Sequence, residues 1–417
     1  MKISGIEALV LDDDMHHAII VRVDTDEGIS GYGEVMGGPI DRAKWIKDRI
    51  GGELERYVID QDPTDVERVM LRIRHHGGYK PLGRTISGIE NALWDIAGKA
   101  AGVPVYKLLG GKVRDKVRVY CDCGAGVALD PGGPVEYTPE AYGENARRRV
   151  KELRPYGFSL MKFDIGYHGK QLVSVPGAHM PDIGSFPGQY SETGHVTEFG
   201  QRTMVESVKA VKDVIGEEIG LCLDCGPGQS IPAAIRLAKA LEPLNVMWAE
   251  DLIQGTQTPG IGEYTDAEAY RILTRSTSTP TLTGEHVYLR YGFMDIIQKR
   301  AISVVAPDIM DVGGLAETKW IAEFADIFGV LIAPHCNGNV ISFMCNVHAA
   351  AAMPKNFIAF EWHRVDDPKW ADTVKGLDEP LIKDGFAVPP SKPGLGFELD
   401  EKNVRKHLAK GETYFGE

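Results

Sequence analysis

Three short runs, residues 220–224, 246–250 and 281–285, each end in a carboxylate: Asp224, Glu250 and Glu285. Each is followed by a loop and then by a segment of helical apolar spacing. Short apolar runs alternating with such helices read as buried strands of a parallel sheet. A charged group at the end of a buried strand is costly unless something pairs with it. Any one of these acids alone could be a helix cap or a surface residue. Three on successive strands converge on one point above the sheet, where like charges need a cation. An all-oxygen set selects a hard cation, and Mg2+ is the expectation.

The chain has 417 residues, enough for two domains with substantial cores. Its net charge of −13 argues against nucleic acid and anionic membrane as partners. An anionic small molecule remains compatible, because a bound cation reverses the sign locally. The six cysteines are expected to be reduced and mostly buried, in a cytoplasmic protein. Cys222 and Cys225 spell C-x-x-C, but strand alternation sends their sulfurs to opposite faces, so neither a zinc site nor a redox pair is expected. The first residues lack the apolar core of a signal peptide, and no stretch is long and apolar enough to span a bilayer.

Residues 1–115 read as an α+β unit. Runs at 6–11, 18–23 and 31–36 are strand-like, and Val66, Val69, Met70 and Ile73 fall on one helical face. Ile89, Leu93, Ile96 and Ala100 do the same before a Gly and Pro stop at 102–104. Residues 116–375 change texture. Strand-like runs recur at 117–121, 159–164, 220–224, 246–250, 281–285, 303–308, 330–335 and 357–361, separated by helical segments. Eight such units predict a (β/α)8 TIM-like barrel behind an N-terminal capping domain. Residues 167–200 form a Gly- and Pro-rich insertion of the kind used as a lid, binding element or interface. Residues 376–417 are expected to pack back on the capping domain.

In a barrel of this kind the chemistry sits at the C-terminal strand ends. The second strand offers Lys162 and Asp164 on one face; the sixth, seventh and eighth offer Asp308, His335 and Glu361. An Asp and a His on adjacent strand ends suggest an imidazole oriented and made more basic by a carboxylate. A lone histidine is more often a core residue, but this one ends a strand in the unit after Asp308. His286, beside a candidate metal ligand, either contacts substrate or braces the barrel.

A capping domain followed by a barrel with Asp, Glu and Glu closing three successive strands resembles the enolase superfamily. Asp308 within the run 307–314, together with His335 and Glu361, resembles its mandelate racemase subgroup. The stretches 91–98, 108–114 and 393–396 support this likeness, which extends over about residues 1–400. The resemblance implies that Asp224, Glu250 and Glu285 bind Mg2+. It implies that His335, paired with Asp308, moves protons, and that Glu361 hydrogen-bonds a substrate carboxylate oxygen. It further implies that Lys162 helps stabilise developing negative charge and that cap loops including His16 and His17 close over the substrate.

One position departs from that pattern. The racemase motif on the second strand is Lys-x-Lys, with the second lysine a base; here that position is Asp164. Unless burial raises its pKa, Asp164 is a much weaker base than a neutral lysine, and Lys162 and a cation nearby are expected to lower that pKa, leaving one face of the α-carbon without a competent base. The expectation is therefore a Mg-dependent acid-sugar dehydratase, a hydro-lyase giving a 2-keto-3-deoxy acid from an aldonate or aldarate, with Asp164 and His286 contacting substrate. A racemase, epimerase or cycloisomerase using the same enediolate is the alternative, and a metal-binding scaffold without turnover a more distant one. A homo-oligomer is expected.

Overall fold

The computed structural model describes residues 1–12, 17–76, 83–130, 132–166, 196–226, 228–253, 265–363 and 371–417. The chain begins with an antiparallel meander of β1 (Ile3–Leu11), β2 (His17–Thr25) and β3 (Ser30–Gly38). Both faces of this sheet are covered, so β1 and β2 read as near-continuous apolar runs. Ala8, Val10, Ile19, Val21 and Val23 pack toward the cap helices, while Leu9, Leu11, Ala18 and Ile20 join the barrel core. The helix Val66–His76 buries Val66, Val69, Met70 and Ile73, as its spacing predicts. In the helix Gly83–Ala101, Ile89, Leu93 and Ile96 are buried but Ala100 is exposed, and Ala97 takes the inward place. That helix lies unusually close to β3. A Cβ built on Gly33 would stand 1.9 Å from the Gly88 carbonyl oxygen, and one on Gly31 2.1 Å from that of Ala92.

Eight parallel strands follow: β4 (Val117–Asp122), β5 (Leu160–Asp164), β6 (Gly220–Asp224), β7 (Trp248–Glu250), β8 (Thr281–Thr283), β9 (Val304–Val305), β10 (Leu331–Ile332) and β11 (Phe360–Trp362). They are ordered in sequence from β4 to β10, and β11 returns beside β4. The ring closes through backbone bonds from Ile358 N–H to Ile332 O (3.0 Å) and Glu361 N–H to Pro334 O (2.9 Å). This is a (β/α)8 barrel behind an α+β cap. Its late strands are shorter than the apolar runs suggest, because the ladder frays where the chain turns into the upper loops.

Alternation decides what fills the lumen. Tyr120, Leu160, Cys222, Trp248, Leu282, Val304, Ala306, Ala333 and Ala359 form one interior cluster. Tyr120 and Trp248 meet edge to face at 5.4 Å and plug the middle. All six cysteines are free and buried. Cys222 belongs to the interior cluster and Cys225 to the outer core.

The crossover helix Val340–Ala352 is buried along its whole length. A helix apolar all round needs cover on every side, and the cap supplies part of it. Cap carboxylates also end two barrel helices. Glu90 accepts the N–H groups of Leu315 (2.7 Å) and Ala316 (3.0 Å), at the start of the helix Leu315–Phe328. Glu34 does the same for the helix Val340–Ala352. The C-terminal stretch touches both units. Phe386–Ala387 pairs with β4, and Ala409 N–H donates to Val10 O at 2.9 Å. Among the described residues no helix is long and apolar enough to cross a membrane.

Candidate active site

The polar cluster grows from the same alternation that fills the lumen. Two residues beyond each interior apolar side chain stands a polar one: Asp122 after Tyr120, Lys162 after Leu160, Asp224 after Cys222, Glu250 after Trp248. On the far side Asp308 follows Ala306, His335 follows Ala333, and Glu361 follows Ala359. Strand register levels them: Asp164 pairs with Asp224 and Asp224 with Glu250, while Asp308 and His335 are bridged. The chain thus builds a hydrophobic plug with a charged layer on top.

Lys162 is fully buried at the centre of that layer. Its ammonium lies 2.6 Å from Glu361 Oε1, 3.3 Å from Glu250 Oε2, 3.5 Å from Asp224 Oδ2 and 3.7 Å from Asp122 Oδ2. Burial alone would lower its pKa, but the carboxylates of Glu250, Glu361 and Asp224 hold it well above the ordinary lysine value. It is a fixed positive charge and not a free base.

His335 Nδ1 stands 2.5 Å from Asp308 Oδ2, which sets the ring's orientation and leaves Nε2 toward the cavity, 3.3 Å from Glu285 Oε2. Asp308 is itself braced by the Met310 N–H at 2.6 Å. Glu361 accepts the Tyr120 hydroxyl at 3.0 Å besides meeting Lys162. His286 lies between two carboxylates, 2.9 Å from Glu285 Oε1 and 3.7 Å from Asp311 Oδ2. Burial lowers its pKa, but Glu285 and Asp311 raise it more, to about 10. It lines the cavity beside Glu285.

Asp164 departs from expectation. Burial, then Asp122 and Asp224, push its pKa well above the carboxylate range, and the opposing pull of Lys162 is smaller. In this structure Lys162 turns toward Glu361 and Glu250, so Asp164 is not paired with it.

A cavity of about 130 Å³ opens above the cluster. Asp164, Asp224, Glu285, His286, Asp308 and His335 line it, as does Met36 from the cap. His17 does not line it. Its ring stands 3.1 Å from the Gly38 carbonyl and 3.5 Å from Asp12, so the cap wall there is Met36 instead. His16 and most of the 167–200 insertion lie outside the described residues.

Three titratable lining residues escaped the sequence reading: Asp122, Asp311 and His363. Asp122 and His363 carry the same signal as their neighbours, a polar residue two beyond an inward one. His363 Nε2 is 2.9 Å from Glu361 Oε1 and 3.8 Å from Asp122 Oδ2.

The donor set fits a hard divalent cation. Asp224, Glu250 and Glu285 are buried beside one another with Lys162 as the nearest ammonium. Burial and then Asp224, Glu361 and Glu285 hold Glu250 well above its ordinary pKa; burial and Glu285 raise Asp224. Glu250 Oε1 is buried with no hydrogen-bond partner, an oxygen the fold leaves unused. Ligand atoms of His335, Glu361 and His363 also lie within 4.8 Å of one another. That second set is a poorer seat, because its Glu361 oxygen is already 2.6 Å from the Lys162 ammonium.

Comparison with known proteins agrees with this geometry. The family model described as enolase C-terminal domain-like matches residues 143–403. The N-terminal domain model of mandelate racemase / muconate lactonizing enzyme matches residues 13–110. A D-xylonate dehydratase of Haloferax volcanii is 34% identical over 421 residues, covering 100% of this chain and 91% of that protein. The crystal structure of a mandelate racemase/muconate lactonizing enzyme-like protein from Rubrobacter xylanophilus superposes with a TM-score of 0.83. It is 33% identical and covers 100% of this chain and 99% of the other. A member of the enolase superfamily from Salmonella Typhimurium gives a TM-score of 0.80 at 27% identity, covering 97% and 98% of the two chains.

Proposed function

This chain belongs to the mandelate racemase / muconate lactonizing enzyme family of the enolase superfamily, and from that premise we propose that it is a Mg-dependent acid-sugar dehydratase. The reaction removes the proton α to a carboxylate, eliminates the β-hydroxyl as water and yields a 2-keto-3-deoxy acid. One observation carries the reading: the His335–Asp308 pair faces the carboxylate cluster, while the strand-two position that holds a second lysine in the racemase pattern holds Asp164. The full-length likeness to a D-xylonate dehydratase supports it and makes a five-carbon aldonate the first substrate to try.

His335 Nε2 takes the α-proton. Asp308 holds Nδ1, so Nε2 is the nitrogen turned into the cavity, and the same carboxylate steadies the imidazolium that forms. The developing enediolate needs positive charge already in place. Lys162 supplies it from a buried position that the surrounding carboxylates keep protonated. Tyr120 and Lys162 fix Glu361 for a hydrogen bond to the substrate. Asp224, Glu250 and Glu285 would hold a divalent cation, with Mg2+ the hard ion that suits three carboxylates, and when bound it supplies further electrophilic stabilisation. Met36 and the cap close the cavity wall.

The test is a panel of aldonates and aldarates incubated with the protein and Mg2+ in D2O. A 2-keto-3-deoxy acid with no inverted starting acid is expected. Accumulation of the α-epimer, deuterated at that carbon and without keto acid, would replace the dehydratase by an epimerase.

A further inference from the structure

We infer that His363 is the general acid that protonates the departing β-hydroxyl, completing a site with two separate imidazoles. The inference rests on the dehydratase reading. It concerns a step left open there, since the carbon–oxygen bond does not break readily unless its oxygen receives a proton.

The placement is specific. Ala359, Glu361 and His363 are the inward positions at the end of β11. Glu361 pairs with Tyr120 of β4, and the same offset two residues further puts His363 level with Asp122. Asp122 is held in place by the Gly124 N–H on Oδ1 at 2.6 Å, which turns Oδ2 toward His363 at 3.8 Å. The site thus sets a histidine level with an aspartate at two seams. His335 Nδ1 meets Asp308 Oδ2 at 2.5 Å across β10 and β9, whereas His363 Nε2 stands 3.8 Å from Asp122 Oδ2 across β11 and β4 and 2.9 Å from Glu361 Oε1. The two rings meet edge to face with centroids 5.4 Å apart, close enough to serve neighbouring carbons of one substrate.

A structural histidine looks different in this protein. His348 is wholly buried and spends both ring nitrogens on backbone, the Tyr106 N–H and the Leu395 carbonyl. His363 keeps 26% of its side chain exposed, lines the cavity, and faces the carboxylates of Glu361 and Asp122.

The proton traffic balances. His335 takes the α-proton, and the electron pair moves into the substrate carboxylate. That pair returns to form the Cα–Cβ double bond as the Cβ–O bond breaks, its electrons going to oxygen. The oxygen takes a proton from protonated His363 and leaves as water. When the enol ketonises, His335 gives its proton to Cβ and the enol O–H proton goes to His363. Both histidines return to their starting states.

His363→Asn and His363→Gln, made in the full chain, test this against the wild type. Two substrates are used with Mg2+: an aldonate that the wild type dehydrates, and its analogue with fluoride in place of the β-hydroxyl. Fluoride leaves without a proton. On the hydroxy acid, kcat should fall by about 100-fold or more in both variants, the scale of a lost general acid. On the fluoro analogue it should stay within roughly threefold of wild type. Equal losses on both substrates would make His363 an organiser of the site, and unchanged turnover on the hydroxy acid would remove it from the chemistry; either overturns the inference. A wild type that only epimerises every acid tested overturns the dehydratase reading itself, and that result needs no variant.

Discussion

Glu34 of the cap accepts the backbone N–H of Asn339 at 2.7 Å, just after the strand end that carries His335. The same carboxylate takes the Ser342 N–H at 2.9 Å and its hydroxyl at 2.8 Å. These are the amides that a capping box satisfies within one helix; here the partner comes from another domain. Two residues along β3 from Glu34, Met36 lines the cavity. Docking of the cap and shape of the pocket are therefore one structural problem.

Glu34→Ala leaves buried donors without an acceptor. Its expected cost is about 3 kcal/mol of stability, the sum of a few such bonds, together with a raised KM. Denaturant unfolding and steady-state kinetics read both. A stable variant with unchanged KM would separate the cap contact from the pocket.

His335→Asn should lower kcat by about 100-fold or more without unfolding the barrel, because it removes the proton acceptor and keeps the volume nearly constant. Asp308→Asn should cost less, since it disturbs orientation and charge and leaves the reacting nitrogen present. Comparison of kcat for the two variants checks the order; equal losses would mean that the dyad acts as one unit.

Chelation should abolish turnover and Mg2+ restore it. Glu250→Gln should weaken Mg2+ binding by at least about tenfold, measured by titration calorimetry. A readout independent of activity is the melting temperature: added Mg2+ should raise that of the wild type and leave that of the variant nearly unmoved, because a ligand bound only by the native state stabilises it. Full turnover in a metal-free sample would defeat this assignment.

His348 predicts a pH effect far from the chemistry. Burial lowers its pKa from 6.5 to about 4, with the Leu395 carbonyl opposing only in part. Its folded-state pKa is depressed, so between pH 6.5 and 4 the unfolded chain binds the proton and the native state does not. Stability is whole above pH 6.5 and falls as the pH drops toward 4, by on the order of 3 kcal/mol from this group. His348→Gln offers both an acceptor and a donor without titrating. Its unfolding free energy should be flatter over that window, and an unchanged slope would assign the pH dependence elsewhere.

Much of the site was legible because it is written in local alternation. Asp224, Glu250, Lys162 and His335 stand at strand ends, two beyond an inward apolar residue, and period-2 geometry alone aims them at one point. Asp122 and His363 carry that mark too, yet their importance comes from adjacency across the closing seam, where β11 meets β4. No pattern along the chain states that residues 122 and 363 are level. Asp164 was misjudged for a related reason. Its proton affinity depends on which carboxylate Lys162 chooses, and that ammonium goes to Glu361 and Glu250.

The sequence by itself determined the barrel, the cap and the acids that end its strands, because apolar period and strand parity are properties of neighbouring residues. Only the tertiary structure decided the rest: Lys162 shared among carboxylates from β4, β6, β7 and β11, Met36 as the cap's wall, and Glu34 and Glu90 ending helices more than two hundred residues away. Those relations follow from ring closure and domain docking. Both depend on how distant surfaces fit, and electrostatics in a buried site depends on the distances that fit produces.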